Sequence, residues 1–273
     1  MTLVIANRTA KEVSFSADSR ITFGSAGYFD KGIKLFSVPF KLKGPAKSKE
    51  DFGKYEFEHN YGIAVVGSTT NAFTVKDSIV EILPNVTYLT NMSDVSIIGV
   101  GWFVFKAYKE ISEELSQVLR EGGLCEILLG GYCLVKRKVR VVRFFPIIHT
   151  DRIEFKFEEI LQSEGEMLFY GSGKYIAQEI YDADKTLEPL QILKKVIESG
   201  REPTVGGPMQ SGSIYDKDFK ISGVLEQEVN NEGQILNSTR YRRAFLVKDE
   251  MKEATQPPYL GFSYGYKQVK IKR

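Results

Sequence analysis

The chain has 273 residues, 42% of them hydrophobic and 26% charged, and its 37 basic and 35 acidic side chains leave a formal charge of +2. These are the proportions of an ordinary globular protein. They exclude a disordered chain, which needs low hydrophobicity and high net charge, a Gly- and Pro-dominated fibre or linker, and the strong positive field of a nucleic-acid binder.

Residues 2–7 (TLVIAN) are an apolar β-branched run. After a polar turn at 8–11, residues 12–20 alternate Val13, Phe15 and Ala17 with polar neighbours, which predicts a hairpin. Residues 41–60, rich in charge around Gly44-Pro45, predict an exposed excursion. An apolar strand at 63–66 passes through Gly67-Ser68-Thr69-Thr70 into a helix over 71–83, stopped by Pro84. Over 94–120 the residues Val95, Ile98, Trp102, Phe105, Tyr108, Ile111, Leu115 and Val118 recur every three or four positions, one helical stripe ended by Gly122-Gly123.

A second hairpin is predicted for 126–135 and 139–145. Its basic run sets Lys136, Lys138 and Arg140 against Val139 and Val141, the pattern of a solvated sheet edge rather than a nucleic-acid patch. Strands at 152–157 and 167–170 precede helices at 174–183 and 188–199, the latter with Pro189 in its first turn and Gly200 at its end. Gly206-Gly207, strands to about residue 221, a hairpin around Asn230-Asn231-Glu232-Gly233 leading into 243–247, and a mixed tail over 252–273 complete the chain. Paired helices between antiparallel hairpins imply an α+β fold with one core.

Several chemistries are short of residues. Cys125 and Cys133 cannot form a disulfide framework and read as reduced and buried, while His59 and His149 stand apart from each other and from any CxxC, so neither metal nor cofactor is expected. Gly171-Ser172-Gly173-Lys174 lacks the rest of a phosphate loop, with Leu168 and Tyr175 at the deciding positions, and Gly99-Val100-Gly101 lacks the third dinucleotide glycine. No GxSxG elbow is present. The first residues lack a secretory pattern, and the apolar stretch at 95–108 is broken by Ser96, Gly99, Gly101 and Lys106, so the expectation is a cytoplasmic protein without a membrane span. The N-x-[ST] triplets at Asn7, Asn85, Asn91 and Asn237 are then chance matches.

What remains is a nucleophile that needs no histidine. A threonine at the head of a chain can use its own α-amino group as general base, since that amine has a pKa of about 7.7–8.0. Thr2 qualifies once Met1 is removed. Asp18, in Ser16-Ala17-Asp18-Ser19-Arg20, and Lys34, in Gly32-Ile33-Lys34-Leu35-Phe36, follow it by 16 and 32 positions. With these spacings, with the run from Gly62 to Ala72, and with Gly130-Gly131-Tyr132 and Gly171-Ser172-Gly173, the sequence resembles a proteasome β-subunit of the N-terminal-nucleophile hydrolase superfamily. The likeness is specific over the first 36 residues, 61–83 and 167–183, and elsewhere extends only to element order.

The resemblance implies a four-layer αββα sandwich of two antiparallel sheets between helix layers. It implies a single domain over 1–273, with a surface insertion at 37–60 and an extended C-terminal region from about residue 212. Thr2 would attack a carbonyl, Lys34 would lower its hydroxyl pKa, Asp18 would hold Lys34, Gly67 would face the oxyanion, and Ser172 would support the nucleophile. Two other family positions depart: Glu202 stands for an Asp, and Val205 for a Ser that supports the amine. By the family's pattern Ile21, Thr22, Val65, Thr69 and Phe73 would flank a first substrate pocket preferring an apolar residue. The implied activity is a threonine-type peptidase acting on peptides or unfolded protein, in a homo-oligomeric ring, with an ATPase unfoldase left open as partner and no role for nucleic acid. A catalytically silent structural subunit and a small-molecule amidase are the alternatives. The aromatic cluster Trp102, Phe103, Phe105 and Tyr108, spread over more than one helix face, also predicts a subunit interface.

Overall fold

Strand β1 (Leu3–Arg8) shows how the elements stack. Successive side chains of a strand point to opposite faces, so Val4 and Ala6 share one face and Leu3 and Ile5 the other, and all four are fully buried. Val4 and Ala6 meet Phe15 of β2 (Val13–Ala17) together with Ala64, Val66 and Leu128. Leu3 and Ile5 instead meet Leu190, Leu193 and Val196. A strand covered on both faces is the centre of a layered molecule. The computed structural model describes residues 2–45, 54–88, 93–229, 235–240 and 265–269.

Two large sheets carry the fold. The first runs in the order β11 (Met167–Gly171), β1, β2, β12 (Gln210–Tyr215), β13 (Asp218–Val229), β14 (Ile235–Arg240), with β15 (Tyr266–Gln268) also against β13. The second runs β10 (Ile153–Ile160), β9 (Lys138–Ile148), β8 (Cys125–Cys133), β6 (Phe57–Gly67), β5 (Leu35–Lys43), β7 (Val86–Thr87). A short pair, β3 (Ile21–Thr22) and β4 (Tyr28–Phe29), stands apart. The expectation of wholly antiparallel sheets is corrected at two edges, where β7 pairs with β5 and β15 with β13 in parallel. In both cases other elements intervene before the chain returns beside its earlier strand, as a parallel neighbour requires.

Four α-helices are found among the described residues. Helices α1 (Thr69–Ile82) and α2 (Ile97–Leu119) set Ala72, Val75, Ile79, Val100, Val104 and Tyr108 against Ile63, Val65, Ile127, Leu129 and Phe144 of the second sheet. Helices α3 (Lys174–Ala183) and α4 (Pro189–Ser199) lie on the first sheet through Ala177, Ile192 and Leu193. Local signals explain their limits. Pro84 falls in a 3-10 turn that ends α1, Glu188 and Gln191 form a reciprocal capping box at the start of α4, and Gly200 closes it at φ +61°. The fold is α+β.

The excursion expected over 41–60 is shorter than the charge density suggests. Leu42 pairs in register with Phe57, both buried, so 41–43 and 57–60 are arms of the β5–β6 hairpin. Charged residues occupy only the alternate positions, and Lys41 meets Glu58 across the strands at 2.5 Å. The intervening residues 46–53 lie outside the described residues, as do the strand expected at 243–247 and most of the 252–273 tail. The hairpin expected near residue 230 forms as β13 and β14, with Val229 opposite Ile235. On α2, Val104, Phe105 and Tyr108 are buried but Trp102 and Phe103 are 50% and 51% exposed. Among the described residues no helix is long and apolar enough to cross a membrane.

Candidate functional site

Thr2, Asp18 and Lys34 converge at one end of the first sheet. Thr2 leads into β1, Asp18 follows β2 directly, and Lys34 immediately precedes β5. Pairing of β1 with β2 in the register Val4 to Ala17 brings the first two together, and a backbone hydrogen bond from Val65 N to Lys34 O holds the third. Thr2 Oγ1 donates to Asp18 Oδ1, and Lys34 Nζ donates both to Thr2 Oγ1 and, at 2.7 Å, to Asp18 Oδ1. All three side chains are buried. Burial pushes the Lys34 ammonium below its ordinary range, and the charge and hydrogen bond of Asp18 oppose that shift.

The Asp18 carboxylate is held from every side. Its Oδ1 also accepts Leu3 N at 2.9 Å, while Oδ2 accepts Arg20 N at 3.0 Å and Gly206 N at 3.1 Å. Five donors on a fully buried carboxylate leave it little freedom to move. Gln210, at the head of β12, completes the frame: its Oε1 accepts Lys34 N at 3.1 Å, and its Nε2 donates to Asp18 O at 3.1 Å and Gly32 O at 2.9 Å. Sequence reading missed Gln210, because a single glutamine beginning a strand carries no motif.

A cleft of about 530 Å³ opens over Thr2. Of the residues expected to flank substrate, Ile21, Thr22, Val65 and Thr69 line it, together with Gly67 and Lys34. Phe73 does not line it and packs edge-on against Phe36, with ring centroids 5.9 Å apart. Phe23, Ser68, Thr70, Glu121, Leu124 and Thr204 line it without having been anticipated. Gly67 sits at φ +95°, and a Cβ there would come within 2.7 Å of Leu124 O, so only glycine fits this turn in the wall of the cleft that Thr2 also lines.

A hydroxyl ladder reaches the Thr2 backbone. Glu202 Oε1 accepts Thr204 Oγ1 at 2.5 Å, Thr204 Oγ1 meets Ser172 Oγ at 2.8 Å, and Ser172 Oγ donates to Thr2 O at 3.3 Å. Two hydroxyl protons face three contacts: with Thr204 donating to Glu202, the Ser172 proton serves either Thr2 O or Thr204 Oγ1. Val205, whose residue type could not support the amine, is turned away: it is buried among Leu3, Leu190 and Leu193 and approaches Gly173. Thr204, one position earlier, turns its hydroxyl toward Ser172 and Glu202 instead.

No family model matches the chain, and no curated protein does. Solved structures do match. Anbu (ancestral beta-subunit) from Yersinia bercovieri is similar at TM-score 0.54 and 15% identity, over 80% of this chain and 82% of that one. The chain shares that fold. The Anbu complex from Pseudomonas aeruginosa, described as a helical assembly, gives TM-score 0.52 at 15% identity over 78% and 81% of the two chains. A mutant Anbu from Hyphomicrobium sp. strain MC1 gives 0.54 at 15% identity over 81% and 86%.

These matches correct the resemblance to a proteasome β-subunit. The structural neighbours are Anbu proteins, which are proteasome-like and distinct from proteasome subunits, and identity this low establishes a shared architecture and nothing finer. The motifs that suggested a β-subunit, the Thr2 to Asp18 to Lys34 spacing and the Gly67 turn, are placed where this architecture brings its strand ends together. Spacings of this kind do not by themselves separate one branch of a shared fold from another.

Proposed function

We propose that the chain is a threonine-type amidohydrolase that cleaves peptide bonds once Thr2 is the first residue of the mature protein. The observation that carries this reading is the double contact of Thr2 Oγ1, with a buried ammonium on one side and a buried carboxylate on the other. The Thr2 hydroxyl would attack the amide carbonyl carbon and its proton would pass to the free α-amine. Lys34 would favour the developing alkoxide, and the backbone at Gly67 would face the oxyanion, a contribution of about 3–4 kcal/mol where such donors have been removed. Collapse of the tetrahedral intermediate breaks the C–N bond, the leaving amine takes the proton, and water then hydrolyses the ester on Thr2.

The same reading extends to architecture. We take the three apolar clusters, one between the sheets and one beneath each helix pair, as the contacts of a four-layer αββα sandwich in a single domain. The half-exposed Trp102 and Phe103, and the described assembly of the Pseudomonas aeruginosa neighbour, support a homo-oligomer. The deciding experiment is covalent labelling by a threonine-directed epoxyketone, followed by intact mass. Labelled protein with Thr2 at its N-terminus, and no adduct on Thr2→Ala, is expected. Undiminished labelling of Thr2→Ala overturns the assignment, and absence of labelling in the wild type favours a silent structural role.

A further inference from the structure

Three charged side chains line the cleft, and two of them are neutralised by neighbours. Arg20 grips both oxygens of Asp30 at 2.7 and 2.8 Å and gives another N–H to Pro203 O at 2.9 Å. Lys34 is paired with Asp18. Glu121 is the third, and among the described residues no cation or hydrogen-bond donor meets its carboxylate. Arg120, beside it in sequence, does not line the cleft. The cleft therefore carries at its exposed rim one carboxylate that no group among the described residues neutralises.

Glu121 also belongs to the wall of the site rather than to a free loop. It lies in the 3-10 turn after α2, and Leu124 N donates to Glu121 O at 3.1 Å to close that turn. The fully buried Asn71 donates to Gly123 O at 2.6 Å, and Ser68 N donates to Leu124 O at 2.8 Å. The turn is thus fastened to the same Gly67-Ser68 segment that faces Thr2. Val65 and Leu124, both buried, offer apolar surface in the same cleft. An apolar wall together with one open carboxylate suits a side chain that has an apolar stem and a cationic head.

We infer that the cleft selects substrates carrying a lysine or arginine side chain next to the bond attacked, with Glu121 receiving the cation. This rests on Thr2 being the reacting group, and it departs from the apolar preference that the family pattern implies.

The test separates the two ideas by measuring binding without reaction. Thr2→Ala protein is titrated by calorimetry with two acetylated tripeptide amides that differ only in a C-terminal arginine or norleucine. The arginine peptide is expected to bind about three- to fivefold tighter at low ionic strength, the range of a partly solvated ion pair. That advantage shrinks as salt is raised, and Glu121→Gln in the same background removes it. Equal affinities, no binding of either peptide, or an arginine preference that survives Glu121→Gln each overturns the inference. Because the titration needs no nucleophile, its outcome is independent of the labelling experiment on Thr2.

Discussion

Thr2 and Asp18 are joined through the Thr2 hydroxyl itself, which donates to the carboxylate oxygen that also accepts Lys34 Nζ at 2.7 Å. Asp18 therefore orients Thr2 directly as well as anchoring the cation. Asp18→Ala is expected to cost about 3–5 kcal/mol of stability, because it strands a buried ammonium along with the N–H groups of Leu3, Arg20 and Gly206. Asp18→Asn keeps the shape and should lose less stability while abolishing most turnover. Urea denaturation and peptide hydrolysis, measured on the same preparations, check the two halves.

The buried Lys34 makes a signed prediction about pH. Its ammonium titrates below the usual 10.5, burial being the dominant cause. The native protein thus gives up this proton at a lower pH than the unfolded chain does. Between those two values the unfolded chain binds more protons, so the Lys34 contribution to stability rises with pH and levels off above 10.5. Lys34→Met should remove that slope in a series of denaturation curves from neutral to alkaline pH. If turnover needs the charged form, the alkaline limb of the wild-type rate profile falls before 10.5.

Much of this site is legible in the sequence because its chemistry sits at strand ends close to the N-terminus. Thr2, Asp18 and Lys34 fall within 34 residues, and the glycine turn that runs from Gly67 into α1 announces itself by composition. Residues from the far half of the chain are another matter. Gln210 reaches Lys34 across 176 positions and Thr204 acts through Ser172, so no local pattern ties either to Thr2, whereas Glu202 and Ser172 are reached only through the family resemblance. The arms of the β5–β6 hairpin were hidden by charge: Lys41 and Glu58 satisfy each other across the strands, and the buried Leu42 and Phe57 beside them are too few to set a visible period. Trp102 illustrates the reverse case, an aromatic in a helical stripe that half faces solvent while stacking on Phe157 with centroids 4.8 Å apart.

The hydroxyl ladder can be tested by exchanging its two neighbouring positions. Thr204→Val removes the link between Glu202 and Ser172 and should lower turnover about tenfold, the equivalent of one hydrogen bond of about 1.4 kcal/mol. Thr204→Ser should restore it. Val205→Ser places a hydroxyl in the α3–α4 core beside Leu3 and should destabilise the protein without raising activity. Steady-state rates of the three variants separate a positioning role from a packing one, since only the first follows the hydroxyl.

Gln210 offers the sharpest contrast between shape and hydrogen bonding. Its single amide satisfies the backbone N–H of Lys34 and the backbone carbonyls of Asp18 and Gly32, all three within the stretch that runs from Asp18 to Lys34 beside Thr2. Gln210→Leu preserves most of the volume but leaves those three groups without partners in a buried place, at about 1–3 kcal/mol for each one that finds no water. Gln210→Glu keeps the acceptor for Lys34 N but replaces the donor with an anion facing two carbonyl oxygens, so it must either protonate or move. The expected order of stability is wild type, then Gln210→Glu at acid pH, then Gln210→Glu at neutral pH. Gln210→Leu should be low at both pH values. Thermal melts at the two pH values read this directly, and a Gln210→Glu protein whose stability does not depend on pH would show that the carboxylate escapes to solvent instead of occupying the amide's place.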